Sequence, residues 1–482
     1  MTGSSIALPY RSGRWAALAI VVAAQFMVVL DLSIVNVALA TIKSDLGFSE
    51  SGLQWVISAY AITFGGFLLL GGRLADLLGR RRIFILGIAL FTVASALCGV
   101  AWSSSSLVVF RAIQGVGGAL FAPAGLSLLM TIFREGRERN LALGIWGAAS
   151  GSGAAVGVLL GGILTSYLSW PWVFYLNLPV GIALVLLAPR YLQESRVGNA
   201  LRHFDVAGAS TITGSLMVLV YALTRATQDG WGSDSTVTLL LAAAVLFASF
   251  IAVERRAAAP LVPFRVFRGN TLAVGALITC VIASIAFSQF FLLTLYLQQV
   301  LHYSAAQSGV AFVAIAGTVA ITSQIAQRLV TRLGFRRVLF AGLVSAALSE
   351  ALLIRLPTHG TYLTDLLPSF ILIGIGMGLS FVAVTIAALA GVPPQHAGIA
   401  SGLVNTSRQV GGAVGLAAMT TIATLAANGG TVADTVHGYR VSFAVLSVLA
   451  VIGALSTPFL RAHRPEAEPK TREEFVPVQE AA

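Results

Sequence analysis

QFMVVLDLSIVNVALA, residues 25–40, is an apolar run that contains one carboxylate, Asp31, and no basic residue. An ionisable side chain at such depth in an apolar helix is costly, so it marks a functional site unless a structural partner explains it. The composition around it decides the fold. With 57% hydrophobic and 10% charged residues over 482 positions, the chain carries more apolar side chain than a water-soluble core can hide, and it must use lipid as solvent. The 49 glycines and 15 prolines are scattered through the apolar runs, which suits close helix crossings and broken helices rather than disorder.

Outward from Asp31, the chain reads as fourteen apolar segments of membrane-crossing length, at about 15–38, 53–72, 83–102, 106–130, 140–163, 172–189, 206–224, 236–253, 270–298, 308–328, 337–355, 366–388, 398–426 and 440–460. Several exceed the roughly 20 residues that a bilayer core needs, so they tilt or project beyond it. The first follows Arg11 and Arg14, is longer than a signal-peptide core and lacks a small-residue cleavage site, so it is read as a retained helix. Basic residues gather in alternate connections: Arg11 and Arg14; Arg73, Arg80, Arg81 and Arg82; Arg134, Arg137 and Arg139; Arg190, Arg196 and Arg202; Arg255, Arg256, Arg265 and Arg268; Arg328, Arg332, Arg336 and Arg337; and Arg461, Arg464, Lys470 and Arg472. The other connections carry only Lys43, Arg225, Arg355 and Arg440, while Arg111 and Arg408 lie within spans. The positive-inside bias predicts an even number of crossings with both termini cytoplasmic. It also assigns the net charge of +11 to membrane topology rather than to a nucleic-acid partner.

GRLADLLGRR from Gly72 is echoed by QRLVTRLGFR from Gln327, each closing an apolar helix with a basic, glycine-containing turn. Gly79 matches Gly334 and Arg81 matches Arg336, whereas Asp76 matches Thr331. The echo predicts two related halves of the kind on which alternating access is built. The expected organisation is a six-helix half over 1–202, two additional helices over 203–256, a second six-helix half over 257–465 and a cytoplasmic tail over 466–482.

These residues carry a resemblance. The chain resembles the major facilitator superfamily, and within it the fourteen-span drug:proton antiporter branch of bacterial multidrug and antibiotic efflux proteins. Gly72, Leu74, Asp76, Gly79, Arg80 and Arg81 match the cytoplasmic signature, and Arg111, Gln114, Gly115 and Gly117 match that of the fourth span. Asp31, Ile34, Val35, Asn36 and Ala38 match the first span, Trp55 and Tyr60 the second, and Asn177 and Pro179 the region of the sixth. The resemblance is close over about the first 180 residues, and later rests on topology, the echo and the group Asn405, Arg408 and Gln409. It implies an all-α polytopic membrane protein with 14 transmembrane helices in the bacterial cytoplasmic membrane, two six-helix halves plus two linking helices. It further implies export of a small lipophilic or cationic molecule, H+ as coupling ion, no cofactor, contact with membrane lipids and function as a monomer. One departure stands in the fifth span, where Gly157 is followed by Val158 in place of the family's proline, which removes an expected kink.

Asp31 is predicted to be the proton-coupling or cation-sensing acid, with a structural salt bridge as the plainer reading. Span four runs opposite to span one, which brings Arg111 to a similar depth. The resemblance gives Arg111 a part in proton coupling, against the reading of a fixed helix clamp; Gln114, three positions on, shares its face. Glu350 is the other acid well inside a run, a candidate second protonation site unless Arg355 pairs with it. Candidate substrate contacts are Asn36, Tyr60, Gln114, Trp146, Phe287, Phe291, Asn405 and Gln409; aromatic faces and apolar area suit a lipophilic cation. Asp76 with Arg80, at i, i+4, reads as a conformational latch together with Gly72, Gly79 and Arg81. Gly153, Gly157 and Gly161, with Gly162, form a narrow stripe for close helix approach. Trp15, Trp55, Trp102, Trp170, Trp172 and Trp231 fall near span ends and are predicted interface anchors.

No competing chemistry reaches this level. There is no GxxxxGK[S/T] phosphate loop, the six histidines are scattered without metal-site spacing, and Cys98 and Cys280 lie within apolar runs. An enzyme is not expected, since no nucleophile and base form a set. The alternatives to drug efflux are a lipid or metabolite transporter and a membrane sensor that keeps the shell without turnover.

Overall fold

The computed structural model describes residues 13–133, 136–195, 205–257, 260, 262, 272–427 and 429–460. Arg11, Arg134, Arg196, Arg202, Arg265 and Arg268, the residues from Arg461 onward and the tail over 466–482 lie outside the described residues. The described chain is all helical. Its long helices are α1 (Gly13–Leu46), α2 (Trp55–Leu78), α3 (Arg80–Gly99), α4 (Ser104–Ile132), α5 (Arg137–Tyr167), α6 (Asn177–Tyr191), α7 (Val206–Asp229), α8 (Asp234–Arg256), α9 (Leu272–Leu295), α10 (Ala305–Leu333), α11 (Phe335–Leu353), α12 (Leu367–Leu389), α13 (Ala397–Ala426) and α14 (Val432–Ser456). They coincide one for one with the apolar segments, although most run several residues beyond the expected limits. Among the described residues, 12 helices are long and apolar enough to cross a membrane. The two outside that set are α5, which offers only the shorter apolar stretch Val156–Tyr167, and α11, which carries Arg336, Arg337 and Glu350.

The helix boundaries follow from local chemistry. Ser103 with Ser106, Ser304 with Gln307, and Thr431 with Asp434 form reciprocal capping boxes that satisfy the first free N–H groups of α4, α10 and α14. The echo in sequence is an echo in backbone: α2 gives way to α3 at Gly79 (φ 114°), and α10 to α11 at Gly334 (φ 81°). Side chains with a Cβ avoid such angles, which is why a glycine stands at both breaks. The break places Asp76 and Arg80, despite their i, i+4 spacing, on successive helices, α2 and α3.

Connections that hold the basic clusters lie at one end of the bundle, here the basic end; the opposite is the far end. At the basic end one continuous core joins both sequence halves, with Val21, Phe84, Leu129 and Trp146 packed together with Leu339, Val382, Leu389 and Val404. At the far end there are two separate cores. One contains Ile34, Val56, Leu107 and Phe174, all from the first half, and the other Leu293, Phe312, Phe370 and Phe443, all from the second. The halves therefore share one core at the basic end and have separate cores at the far end, where α5 and α10 still meet at Val158 and Gly309. The α7–α8 hairpin packs on α2 and α13 at once, through Ile212 and Leu216 near Leu69 and Ile399.

The tryptophans divide. Trp15, Trp55, Trp102 and Trp172 are exposed, as expected of interface anchors, but Trp170 is 4% exposed and its indole N–H donates to Asp45 at 2.8 Å. Trp170 is thus a core residue with a polar partner, and Trp231 is tied to Thr421 at 2.7 Å.

Candidate functional site

Asp31 lies in α1 about 27 Å from its first residue, at a rise of ~1.5 Å per residue, and is completely buried. Two other helices supply three donors to its carboxylate. From α4, Arg111 Nη1 donates to Oδ2 at 2.7 Å and Gln114 Nε2 to Oδ1 at 2.9 Å; from the start of α6, Asn177 Nδ2 donates to Oδ1 at 2.9 Å. Ser95 of α3 accepts from both amides, at 3.2 and 3.0 Å, and its hydroxyl donates to the Phe174 carbonyl at 3.0 Å. Arg111 is held further by the Val56 carbonyl (3.0 Å), by Gln114 Oε1 (2.7 Å) and by the Tyr60 ring, whose centroid lies 4.4 Å from Cζ. A buried charge pair needs its remaining lone pairs and N–H groups satisfied; here both carboxylate oxygens and Arg111 Nε and Nη1 have partners, while the Tyr60 hydroxyl has none among the described residues. A proton arriving on Asp31 would cancel the charge that all three donors face.

Close approach makes the cluster possible. Gly157 and Gly161 lie against the Leu30 and Ile34 carbonyls with no space for a Cβ, and Gly153 sits on Val29, so the glycine stripe of α5 seats α1. Gly162 is buried beside them. Val158, where the resemblance anticipates proline, turns to Gly309 of α10 across the two halves.

The second constellation closes the basic end. Asp76 is buried; its Oδ1 accepts from Arg80 Nη2 at 2.7 Å and Nε at 3.1 Å. The same carboxylate accepts the backbone N–H of Gly398 at 3.0 Å and of Ile399 at 3.1 Å, the first turn of α13. Free N–H groups and the helix dipole favour an anion there. Gly72 abuts the Gly398 carbonyl, and Glu194 accepts the backbone N–H of Arg81 and Arg82 at 3.2 Å each. In the matching place of the second half, Thr331 accepts from Asn140 of α5 at 3.2 Å, a neutral bond where the first half has an ionic one.

Glu350 is fully buried in α11, and neither carboxylate oxygen has a partner. The expected alternative of a pair with Arg355 is not formed among the described residues. The remaining candidates do not assemble into one pocket. Tyr60 and Gln114 belong to the Asp31 cluster, whereas Asn36 is exposed and donates to the Leu32 carbonyl of its own helix at 3.0 Å. Asn405 likewise donates to Ser401 on its own helix at 2.9 Å; Gln409 packs on Gly65 of α2, and Phe287 on Gly412. Phe291 is 38% exposed. Trp146 is buried with the guanidinium of Arg408 over its ring.

Sequence reasoning quoted Asn177 only as part of a motif and missed it, with Ser95, as a direct partner of the acid cluster. Position alone offers no signal, since 146 residues separate Asn177 from Asp31. An apolar groove of about 660 Å³ between α1, α5 and α6 reaches this place, lined by Phe26, Leu30, Leu160 and Asn177 among others.

Known proteins bear out the pattern. A family model described as Major Facilitator Superfamily matches residues 21–416. The puromycin resistance protein of Streptomyces alboniger is 43% identical, over 95% of this chain and 93% of that protein. The cephamycin export protein of Amycolatopsis lactamdurans is 38% identical over 92% of each. The tetracenomycin C resistance and export protein of Streptomyces glaucescens is 34% identical over 85% of this chain and 76% of its own. Among solved structures, the human organic anion transporter MFSD10 superposes with a TM-score of 0.69 at 14% identity, covering 92% of this chain and 99% of that one; the likeness is one of fold.

Proposed function

The chain belongs to the major facilitator superfamily, in its branch of drug and antibiotic efflux proteins, and from there we propose that it exports a small lipophilic, antibiotic-like compound in exchange for inward-moving protons. It is a secondary transporter embedded in a membrane, and its work is translocation rather than catalysis. The observation that carries the coupling is the buried carboxylate of Asp31, gathered with Arg111, Gln114 and Asn177 inside the first half. Such a group can hold a proton or an ion pair, and the change between them moves charge relative to Arg111. The names of the relatives, which export or resist puromycin, cephamycin and tetracenomycin C, support a compound of the antibiotic kind.

The finer architecture fits this reading. All fourteen helices cross the membrane, as two six-helix halves with the α7–α8 hairpin between them, and the arginine-rich connections put both termini in the cytoplasm of a bacterial cell. A core shared at the basic end and the contacts of Asp76 with α13 support a state closed to the cytoplasm.

Proteoliposomes reconstituted with purified protein test it. Lipophilic drugs added to wild-type vesicles are expected to drive proton movement, and Asp31→Asn is expected to abolish it. Binding of drugs to folded protein without proton or drug flux would turn the reading toward a sensor.

A further inference from the structure

We propose that Arg408, set against the Trp146 indole and the Phe381 ring, is an anion-binding subsite that takes the carboxylate of a flat, apolar organic acid. The proposal rests on the transport reading and adds the charge of the transported molecule.

Arg408 lies in α13, with its guanidinium carbon 5.1 Å from the Trp146 ring centroid and 5.5 Å from that of Phe381. Its Nε and Nη2 are sealed from solvent and have no hydrogen-bond partner, and no carboxylate pairs with it among the described residues. Arg111 and Arg80, buried in the same body, are each met by a carboxylate at 2.7 Å. The protein thus supplies a counter-charge to those two and withholds it from Arg408.

The place matters as much as the charge. Trp146 comes from α5, in the first half, and Arg408 and Phe381 come from α13 and α12, in the second. Counted along their helices at ~1.5 Å per residue, the three lie about 12–17 Å from the basic end. Trp146 and Phe381 are members of the core that joins both halves. A compound seated there touches both halves, as alternating access requires.

Ring faces stabilise a cation but accept nothing from N–H groups that point along the guanidinium plane. A carboxylate that displaces the side chains sealing that plane makes two parallel bonds, and an aromatic body attached to it finds Trp146 and Phe381 beside it. A lipophilic cation in the same place would meet an unscreened like charge. The charge expected of the substrate from sequence is thereby reversed at this subsite.

The test uses full-length protein in lipid nanodiscs and two probes of matched size, naphthalene-2-carboxylate and 2-naphthylmethylammonium, at neutral pH. Wild type is expected to bind the carboxylate at least tenfold more tightly than the ammonium. Arg408→Gln is expected to lose at least tenfold for the carboxylate alone, with Arg408→Lys between them because it keeps charge without the planar fork. Without ligand, Arg408→Gln is expected to melt at or above the wild-type temperature, since it removes an unpaired, half-buried charge; a structural clamp would melt lower. Equal carboxylate affinity in wild type and Arg408→Gln, or preference of wild type for the ammonium, overturns the subsite. If Arg408→Gln does not fold, the probe preference of wild type and the rank of Arg408→Lys decide. Flux in proteoliposomes separates the two readings. Transport of the ammonium with no carboxylate binding leaves export standing and removes the subsite, whereas Arg408-dependent carboxylate binding with no flux of any drug keeps the subsite and removes export.

Discussion

Replacing Asp31 by asparagine changes one oxygen into an NH2 group and leaves the volume almost untouched. In the native cluster Oδ2 receives Arg111, and Oδ1 receives both Gln114 and Asn177. An asparagine whose oxygen faces Arg111 turns its NH2 toward two other amide donors; flipped, it turns the NH2 toward the guanidinium. Either way a buried donor loses its acceptor and Arg111 loses its counter-charge. Removing one partner of a buried pair costs about 3–5 kcal/mol, so Asp31→Asn is expected to lower the thermal midpoint in nanodiscs and to abolish drug-driven proton movement. The double variant Asp31→Asn, Arg111→Gln separates these effects. With both charges gone the packing loss is expected to be largely restored, because neutral partners of similar shape cost little when each can be satisfied, while proton movement stays absent. Proton flux that persists in Asp31→Asn would refute the assignment of coupling to this acid. A double variant no more stable than Asp31→Asn would refute the account of the cluster as a charge pair satisfied from three helices.

The latch yields a second expectation: Asp76→Ala removes the anion from the first turn of α13 and from Arg80, which at about 1.4 kcal/mol per decade shifts the open population at the basic end by tenfold or more. In a background lacking Cys98 and Cys280, a cysteine at Ser401, buried at that end, is expected to react with a maleimide in Asp76→Ala and to be protected otherwise. Gly157→Ala places a methyl on Ser33 Oγ and the Leu30 carbonyl, and is expected to cost about 1–3 kcal/mol of stability, whereas Gly317→Ala, with open space around it, is expected to be neutral in the same thermal assay. His396, just ahead of α13, has its pKa lowered from the ordinary 6.5 by burial first and by Arg73 beside it, against the pull of Asp76. The unfolded chain therefore binds this proton more readily, so the stability it contributes is full above about 6.5 and is lost as pH falls through the depressed folded value; His396→Gln is expected to flatten that part of a melting-temperature profile against pH.

The fourteen helices were legible because each is an apolar run bounded by charge, and the alternation of arginine-rich connections fixed their order across the bundle. The meeting of Asp31 and Arg111 was legible too, since two antiparallel helices of known rise place both at similar depth. What sequence could not supply is azimuth, the direction in which a side chain leaves its helix. Asn177 and Ser95 reach the cluster because of the rotation of α6 and α3 about their axes, which no spacing encodes when the sheath is lipid and the amphipathic pattern is weak. For the same reason Trp170 was read as an anchor from its place near a span end, although it faces inward to Asp45. Asp76 shows a different limit: its neighbour Arg80 was visible, but its acceptor role toward Gly398 depends on how two helices 322 residues apart dock.

The two kinds of core imply an order of assembly during synthesis. Every member of the Asp31 cluster precedes residue 178, and the far-end core around it closes with Phe174, so both can be complete when the first six helices have entered the membrane. The basic-end core draws on residues from Ala17 to Leu460 and cannot close until the last helix is in place. The ribosome can therefore release a chain whose Asp31 cluster is already assembled, while Asp76 waits more than three hundred residues for its partner in α13.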